Sequence, residues 1–367
     1  MKIELVDVKR QYHFLKDEID GAIKKVLNEG NYILGEEVAI FENNFARYCG
    51  VDCAIGVDSG TSALQLILLS LNIGEGDEII IPANTFNATA AAIRYVNAKP
   101  VLVDANQRTF NINVDEIENK ITKKTKAIMV VHLYGQPVDM ERIQNIAKKN
   151  NLLIIEDACQ AHGAEFNGQR VGTFGTAAAF SLYPRKNLGA AGDGGIAVTN
   201  DNKLITKMKI LREYGEKGKH EILGYNKRLD TLQAAILNVK LKYLDLWNED
   251  RIRIAKKYTE EFKELPIITP LTDPRTKHVF HLYVIQVENG DVRDALRKYL
   301  SQYEIQTDIH YPKPIHLQGA FKDLGYKKGD FPVSEKLSEN IISLPLYPMM
   351  TDEELDIVIT KVKEFFK

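Results

Sequence analysis

Between about residues 50 and 200, short runs rich in Val, Ile and Leu alternate with segments whose apolar residues recur every three or four positions. The runs CAIGVD, EIIIP, KPVLVD, KAIMVVH and NLLIIED are nearly continuous in apolar residues, the pattern of strands buried on both faces. Between them TSALQLILLSLN, ATAAAIRYV, VDEIENKI and DMERIQNIAKKN carry helical spacing. Such alternation predicts right-handed crossovers, and therefore a mostly parallel sheet with helices on both faces.

After Asp230 the rhythm changes. LDTLQAAILNVKLKYLDLWNEDRIRIAKKYTEEFKEL predicts one or two long helices closed by Pro266. VFHLYVIQVE then predicts a strand, DVRDALRKYLSQY a helix, EIQTDIHYP another strand, and TDEELDIVITKVKEFF a terminal helix. The expected organisation is a large α/β domain over residues 1–245 and a smaller α+β domain over 246–367, with no internal repeat or low-complexity segment.

Composition excludes several classes. The 367 residues are 44% apolar and 27% charged, ordinary for a globular chain with a sizeable core. Lys plus Arg number 48 against 50 Asp plus Glu, so the net charge of -2 offers no general attraction to nucleic acid or an anionic membrane. No stretch approaches the roughly 18 apolar residues that a membrane span needs, and MKIELVDVKRQYHF lacks the apolar core of a signal peptide. A cytoplasmic location is expected. Cys49, Cys53 and Cys159 are too few for a disulfide framework. Cys49 and Cys53 could pair on a metal, but no second Cys or His pair follows at zinc-like spacing, so no metal site is expected.

Ligands of an open α/β sheet sit outside the carboxyl ends of its strands, and three segments carry chemistry there. In DSGTSALQLILLSL a strand ends at Asp58 and a helix begins near Thr61. Gly60, the exposed amides and the Thr61 and Ser62 hydroxyls make a phosphate cradle, or else a simple helix cap. In IIEDACQAHG a buried strand ends in Glu156 and Asp157, and a carboxylate at that depth needs a partner, which a structural ion pair could also supply. TAAAFSLYP brings Ser181, and then Lys186 on the following Gly-rich turn, to the same edge, where a desolvated lysine becomes a nucleophilic amine. A cradle, a buried carboxylate and a lysine amine are the parts that pyridoxal phosphate requires.

SGTSAL (59–64), PANTFNATAAAI (82–93), VVHLYGQPVDM (130–140), IEDACQAHGAEFNGQRVGTFG (155–175), FSLYPRKNLGAAGDGG (180–195), GYNKRLDTLQAAIL (224–237) and IHYPKPIHLQ (309–318) stand in this order along nearly the whole chain. The set resembles the DegT/DnrJ/EryC1/StrS family of sugar aminotransferases, which are fold-type-I, aspartate-aminotransferase-like α/β enzymes using pyridoxal phosphate. The resemblance implies that Lys186 is the Schiff-base lysine and Asp157 the partner of the pyridine nitrogen. It implies that Gln160 meets the ring hydroxyl, Phe86 covers the ring face, and Gly60, Thr61 and Ser181 hold the phosphate. Asn226 is expected to reach the phosphate of a neighbouring subunit, making the active unit a homodimer. Tyr183, His310, Tyr311 and His316 are expected near the sugar and its nucleotide.

Dehydratases of this family carry histidine in place of the lysine, so Lys186 implies amino transfer. YPRKNLGAAGDGG resembles members acting at C3 of a keto sugar, which points to a dTDP-3-keto-6-deoxyhexose with L-glutamate as donor. Amination at C4, amination of a cyclitol or aromatic precursor, and a non-catalytic protein retaining the fold stay open as alternatives. A nicotinamide-dependent enzyme is disfavoured because no GxGxxG follows the first strand.

Overall fold

The computed structural model describes residues 1–216 and 218–367, and in it all five apolar runs are strands: β1 (Cys53–Val57), β2 (Glu78–Pro82), β3 (Lys99–Val103), β4 (Thr125–Val131) and β5 (Leu153–Asp157). Two hairpin strands follow, β6 (Glu165–Phe166) and β7 (Gln169–Arg170), then β8 (Ala177–Ser181) and β9 (Gly195–Thr199). The central sheet has the order β1-β9-β8-β5-β4-β2-β3. From β8 to β3 neighbours run parallel, while β9 is antiparallel to both β1 and β8.

Because strand side chains alternate, the sheet presents two apolar faces. Ile55, Val57, Ile79, Ile81, Met129 and Ile155 pack on one side with the helices Gly60–Ser70, Asn87–Tyr95 and Asn202–Arg212. Ala54, Ile80, Val101, Ile128, Val130 and Ile196 face the other side. There they meet the helices Glu36–Cys49, Met140–Asn150 and Thr231–Leu241. The Gly60–Ser70 helix is buried along most of its length, which explains its nearly all-apolar sequence.

The region after Asp230 forms two helices, Thr231–Leu241 and Leu244–Glu261. β10 (Thr276–Lys277) joins β6 and β7 in a small sheet, and β11 (Tyr283–Gln286) pairs antiparallel with β12 (Ile341–Leu344). Only the middle of VFHLYVIQVE is therefore paired. EIQTDIHYP is not a strand: β12 is four residues long, and the segment meets it at one point, Asp308 with Ser343, while Ile305 bridges to Ile3. Two segments pack across residue 245, the expected division. Ile3 joins a core of Ile254, Tyr258, Tyr283, Leu296, Leu344 and Val358, whereas Ile315, Phe321 and Phe331 return to the first face of the large sheet. Among the described residues, no helix is long and apolar enough to cross a membrane.

Candidate active site

A cavity of about 360 Å³ opens at the carboxyl ends of β1, β5 and β8. Its floor begins at the turn after β1. The Ser59 hydroxyl accepts from Ser62 N at 3.1 Å, capping the Gly60–Ser70 helix and leaving the Gly60 and Thr61 amides without a protein acceptor among the described residues. A Cβ on Gly60 would stand 2.7 Å from Cys159 Sγ and 2.9 Å from Ser181 Cβ, so only glycine lets the three segments meet. Lys227 donates to Ser62 Oγ at 2.8 Å and brings a positive charge to the same turn. Free amides at a helix start with a cation beside them fit a phosphate.

Asp157, the last residue of β5, is buried. Its Oδ2 accepts from Thr89 Oγ1 at 2.8 Å and its Oδ1 from Cys159 N at 3.2 Å. Among the described residues it has no salt bridge, and a buried carboxylate without a cation is costly. A protonated pyridine nitrogen would supply that cation, so the residues present fit pyridoxal phosphate. Glu156, one residue earlier, points to the opposite face of the sheet. It accepts from Gly172 N, Phe174 N and Gly175 N at 2.7–2.9 Å and from His132 Nε2 at 3.1 Å, a structural role.

Lys186 lies on the loop between β8 and β9, half-buried in the cavity wall. Burial lowers its pKa below the ordinary 10.5, with Cys159 and Asp157 pulling it part of the way back. The loop is held at several points. Leu182 N donates to Gly194 O and Ala190 N to Leu182 O, each at 2.8 Å. Gln233 Oε1 accepts from Ala191 N at 2.8 Å, and Lys240 Nζ donates to Gly189 O at 2.6 Å. Asn187, next to the lysine, donates to Asn248 Oδ1 at 2.8 Å and to Val279 O at 3.0 Å. A Cβ on Gly189 would fall 2.3 Å from Pro184 O, so the Gly-rich composition serves a tight loop and not a solvated one.

Gln160 lines the cavity, its Oε1 accepting from Tyr134 N at 2.7 Å and its Nε2 donating to Tyr311 OH at 2.8 Å. One Nε2 hydrogen remains for a ligand. Phe86 is half-exposed at the mouth, its ring 5.5 Å from that of Tyr311. Ser181, Tyr183, His310 and Tyr311 also line the cavity. His310 Nδ1 lies 2.8 Å from Ser343 Oγ, and burial lowers its pKa while raising that of Tyr311.

Two expected residues lie elsewhere. His316 is buried outside the cavity, its Nε2 2.8 Å from Glu335 Oε1 and its ring 4.7 Å from Phe331. The short turn Ile315–Leu317 carries it into the core beneath helix Pro332–Asn340, so it does not reach the sugar side of its own chain. Asn226 is exposed and lies outside this chain's cavity. Sequence reasoning missed Thr89, His281, and the wall formed by Leu5 and Val6. Thr89 stood inside the PANTFNATAAAI stretch, two helical positions past its start, whereas nothing in the first residues marked them as cavity lining.

The pattern of the DegT/DnrJ/EryC1/StrS aminotransferase family matches residues 14–363. The chain is 48% identical over 365 residues to the dTDP-3-amino-3,6-dideoxy-alpha-D-galactopyranose transaminase of Aneurinibacillus thermoaerophilus, with 99% of each chain covered. It is 44% identical over 372 residues to the pleiotropic regulatory protein of Geobacillus stearothermophilus, covering 100% of this chain and 99% of that one. Among solved structures, S. venezuelae DesV in complex with a ketimine intermediate matches with a TM-score of 0.97 at 41% identity, covering 100% of this chain and 99% of that one.

Proposed function

The chain belongs to the DegT/DnrJ/EryC1/StrS aminotransferase family, and from that membership we propose that it moves an amino group from L-glutamate to C3 of a nucleotide-linked keto sugar, a dTDP-3-keto-6-deoxyhexose. The observation that carries the reading is the convergence of Lys186, Asp157 and the Gly60–Thr61 turn on one cavity. Pyridoxal phosphate, the cofactor of the family, supplies when bound an electron sink for the carbon that loses or receives nitrogen.

The protein's own groups do the rest. The Gly60 and Thr61 amides and the Ser181 hydroxyl hold the phosphate, Phe86 covers the ring, and Gln160 meets the ring hydroxyl. Asp157 keeps a proton on the pyridine nitrogen. Lys186 Nζ removes the α-proton of the amino donor and, in the reverse sense, delivers a proton to the sugar carbon that receives nitrogen. Its lowered pKa keeps more of the amine in the neutral, proton-accepting form. Tyr183, His310 and Tyr311 line the side left for the sugar.

The choice of C3 draws support from the YPRKNLGAAGDGG loop and from the 3-amino product named for the A. thermoaerophilus relative. The active unit is a homodimer in which Asn226 reaches the neighbouring phosphate, and it works in the cytoplasm, in keeping with three free cysteines. Steady-state turnover with L-glutamate tests the acceptor. dTDP-3-keto-6-deoxyglucose should be the better substrate, and faster turnover of the 4-keto isomer would move the amination to C4.

A further inference from the structure

We propose that His281 is the hydrogen-bond acceptor that holds a hydroxyl of the keto sugar, in a ring tautomer set by Asn187. The inference rests on the sugar-aminotransferase reading above and extends it to a residue outside the motifs that led there.

Asn187 Nδ2 donates to the backbone oxygen of Val279 at 3.0 Å, and a carbonyl can only accept. The orientation of the Asn187 amide is therefore determined. Its oxygen is the atom 3.2 Å from His281 Nδ1. An amide oxygen also only accepts, so His281 donates from Nδ1, and the lone pair of the neutral ring sits on Nε2. His281 lines the cavity, and among the described residues the ring's hydrogen bond is made through Nδ1, with no protein partner at Nε2.

The surroundings select the ligand group. Burial, with Lys186, Arg251, His310 and His162 around the ring, holds His281 well below its ordinary pKa, so the ring stays neutral. A neutral nitrogen lone pair repels carboxylates, which argues against a contact with the carboxyl groups of the amino donor. It accepts an O–H, and the keto sugar is the substrate that brings hydroxyls. The ring is held on the same Asn187 that follows Lys186, which ties the position of the bound hydroxyl to that of the proton-transferring amine.

The test separates the two half-reactions of the holoenzyme in His281→Leu and His281→Gln. Leucine removes the acceptor, and the longer glutamine side chain can present an amide oxygen near the place of Nε2. The expected result for His281→Leu is a KM for the keto sugar raised about tenfold, the size of a lost neutral hydrogen bond, with the L-glutamate half-reaction unchanged. His281→Gln should recover most of that loss. An unchanged sugar KM in His281→Leu would overturn the proposal. Equal slowing of both half-reactions would also overturn it, by assigning the ring to Lys186. Should His281→Leu fail to fold, the glutamine variant decides, since a glutamate half-reaction slowed as much as the sugar one contradicts the proposal. A wild-type enzyme that aminates no keto sugar would refute the functional reading itself, an outcome distinct from both.

Discussion

Asp157 accepts from two donors, the Thr89 hydroxyl and the Cys159 amide, as well as offering the site expected of the pyridine nitrogen. Removing the carboxylate outright would leave the buried Cys159 amide unpaired at a cost of about 1–3 kcal/mol, confusing stability with chemistry. Asp157→Asn keeps the shape and one acceptor oxygen but cannot balance a pyridinium charge. It should fold, bind cofactor, and lose about 10²–10⁴-fold in both half-reactions, measured by rapid mixing with each substrate. Loss in only one half-reaction would contradict the role. At this scale the meeting of Lys186 and Asp157 in one cavity was legible because Asp157 ends a buried strand and Lys186 follows β8 on a Gly-rich loop at the same edge of the sheet. His316 was not legible: an IHYPKPIHLQ stretch does not say which histidine a short turn sends to the cavity and which to Glu335.

The lysine loop is held by elements distant in sequence, and Lys240 on the Thr231–Leu241 helix is the costly member of that clamp. Burial lowers its pKa to about 8 from 10.5. Below pH 8 both folded and unfolded chains carry the proton, and the penalty for a buried ammonium is fully present. Between pH 8 and 10.5 the unfolded chain binds more protons than the folded one, so this group makes stability rise with pH across that window. In Lys240→Met that contribution should vanish. The gain in unfolding free energy between about pH 7.5 and about pH 9.5 should shrink by on the order of 1–2 kcal/mol relative to wild type, as read from urea unfolding. An undiminished gain would show that Lys240 is solvated.

The parallel strands and their helices were visible as elements because fully buried runs leave little ambiguity. EIQTDIHYP was misread because alternating residues predict a strand whether or not a partner edge exists. β9 (GIAVT) follows the Gly-rich loop and runs antiparallel to both neighbours, outside the strand–helix alternation that marked the parallel strands, and β12 (IISL) is only four residues long.

At the scale of the molecule, the N-terminal segment at Ile3 and the segment around Phe321 cross the expected division, and only tertiary packing reveals this. The shared site is the other property of the whole assembly. Asn226 is exposed, in a stretch that includes the exposed Ile222 and Leu223, outside the cavity of its own chain. Lys186→Ala and Asn226→Ala should each lower activity alone. Co-expressed, random pairing in a two-fold dimer should restore roughly a quarter of wild-type turnover, since half the dimers carry one intact site. No recovery would mean that both residues act within one chain or that no such dimer forms.

The central claim, that the cavity around Lys186 and Asp157 performs amino transfer, is tested most directly by following the visible cofactor band of purified wild type and Lys186→Ala. Addition of L-glutamate should abolish the band in wild type, and dTDP-3-keto-6-deoxyglucose should restore it. Lys186→Ala should retain cofactor and show neither change. A wild-type band indifferent to amino donors, or a Lys186→Ala variant that cycles at the wild-type rate, would contradict the account.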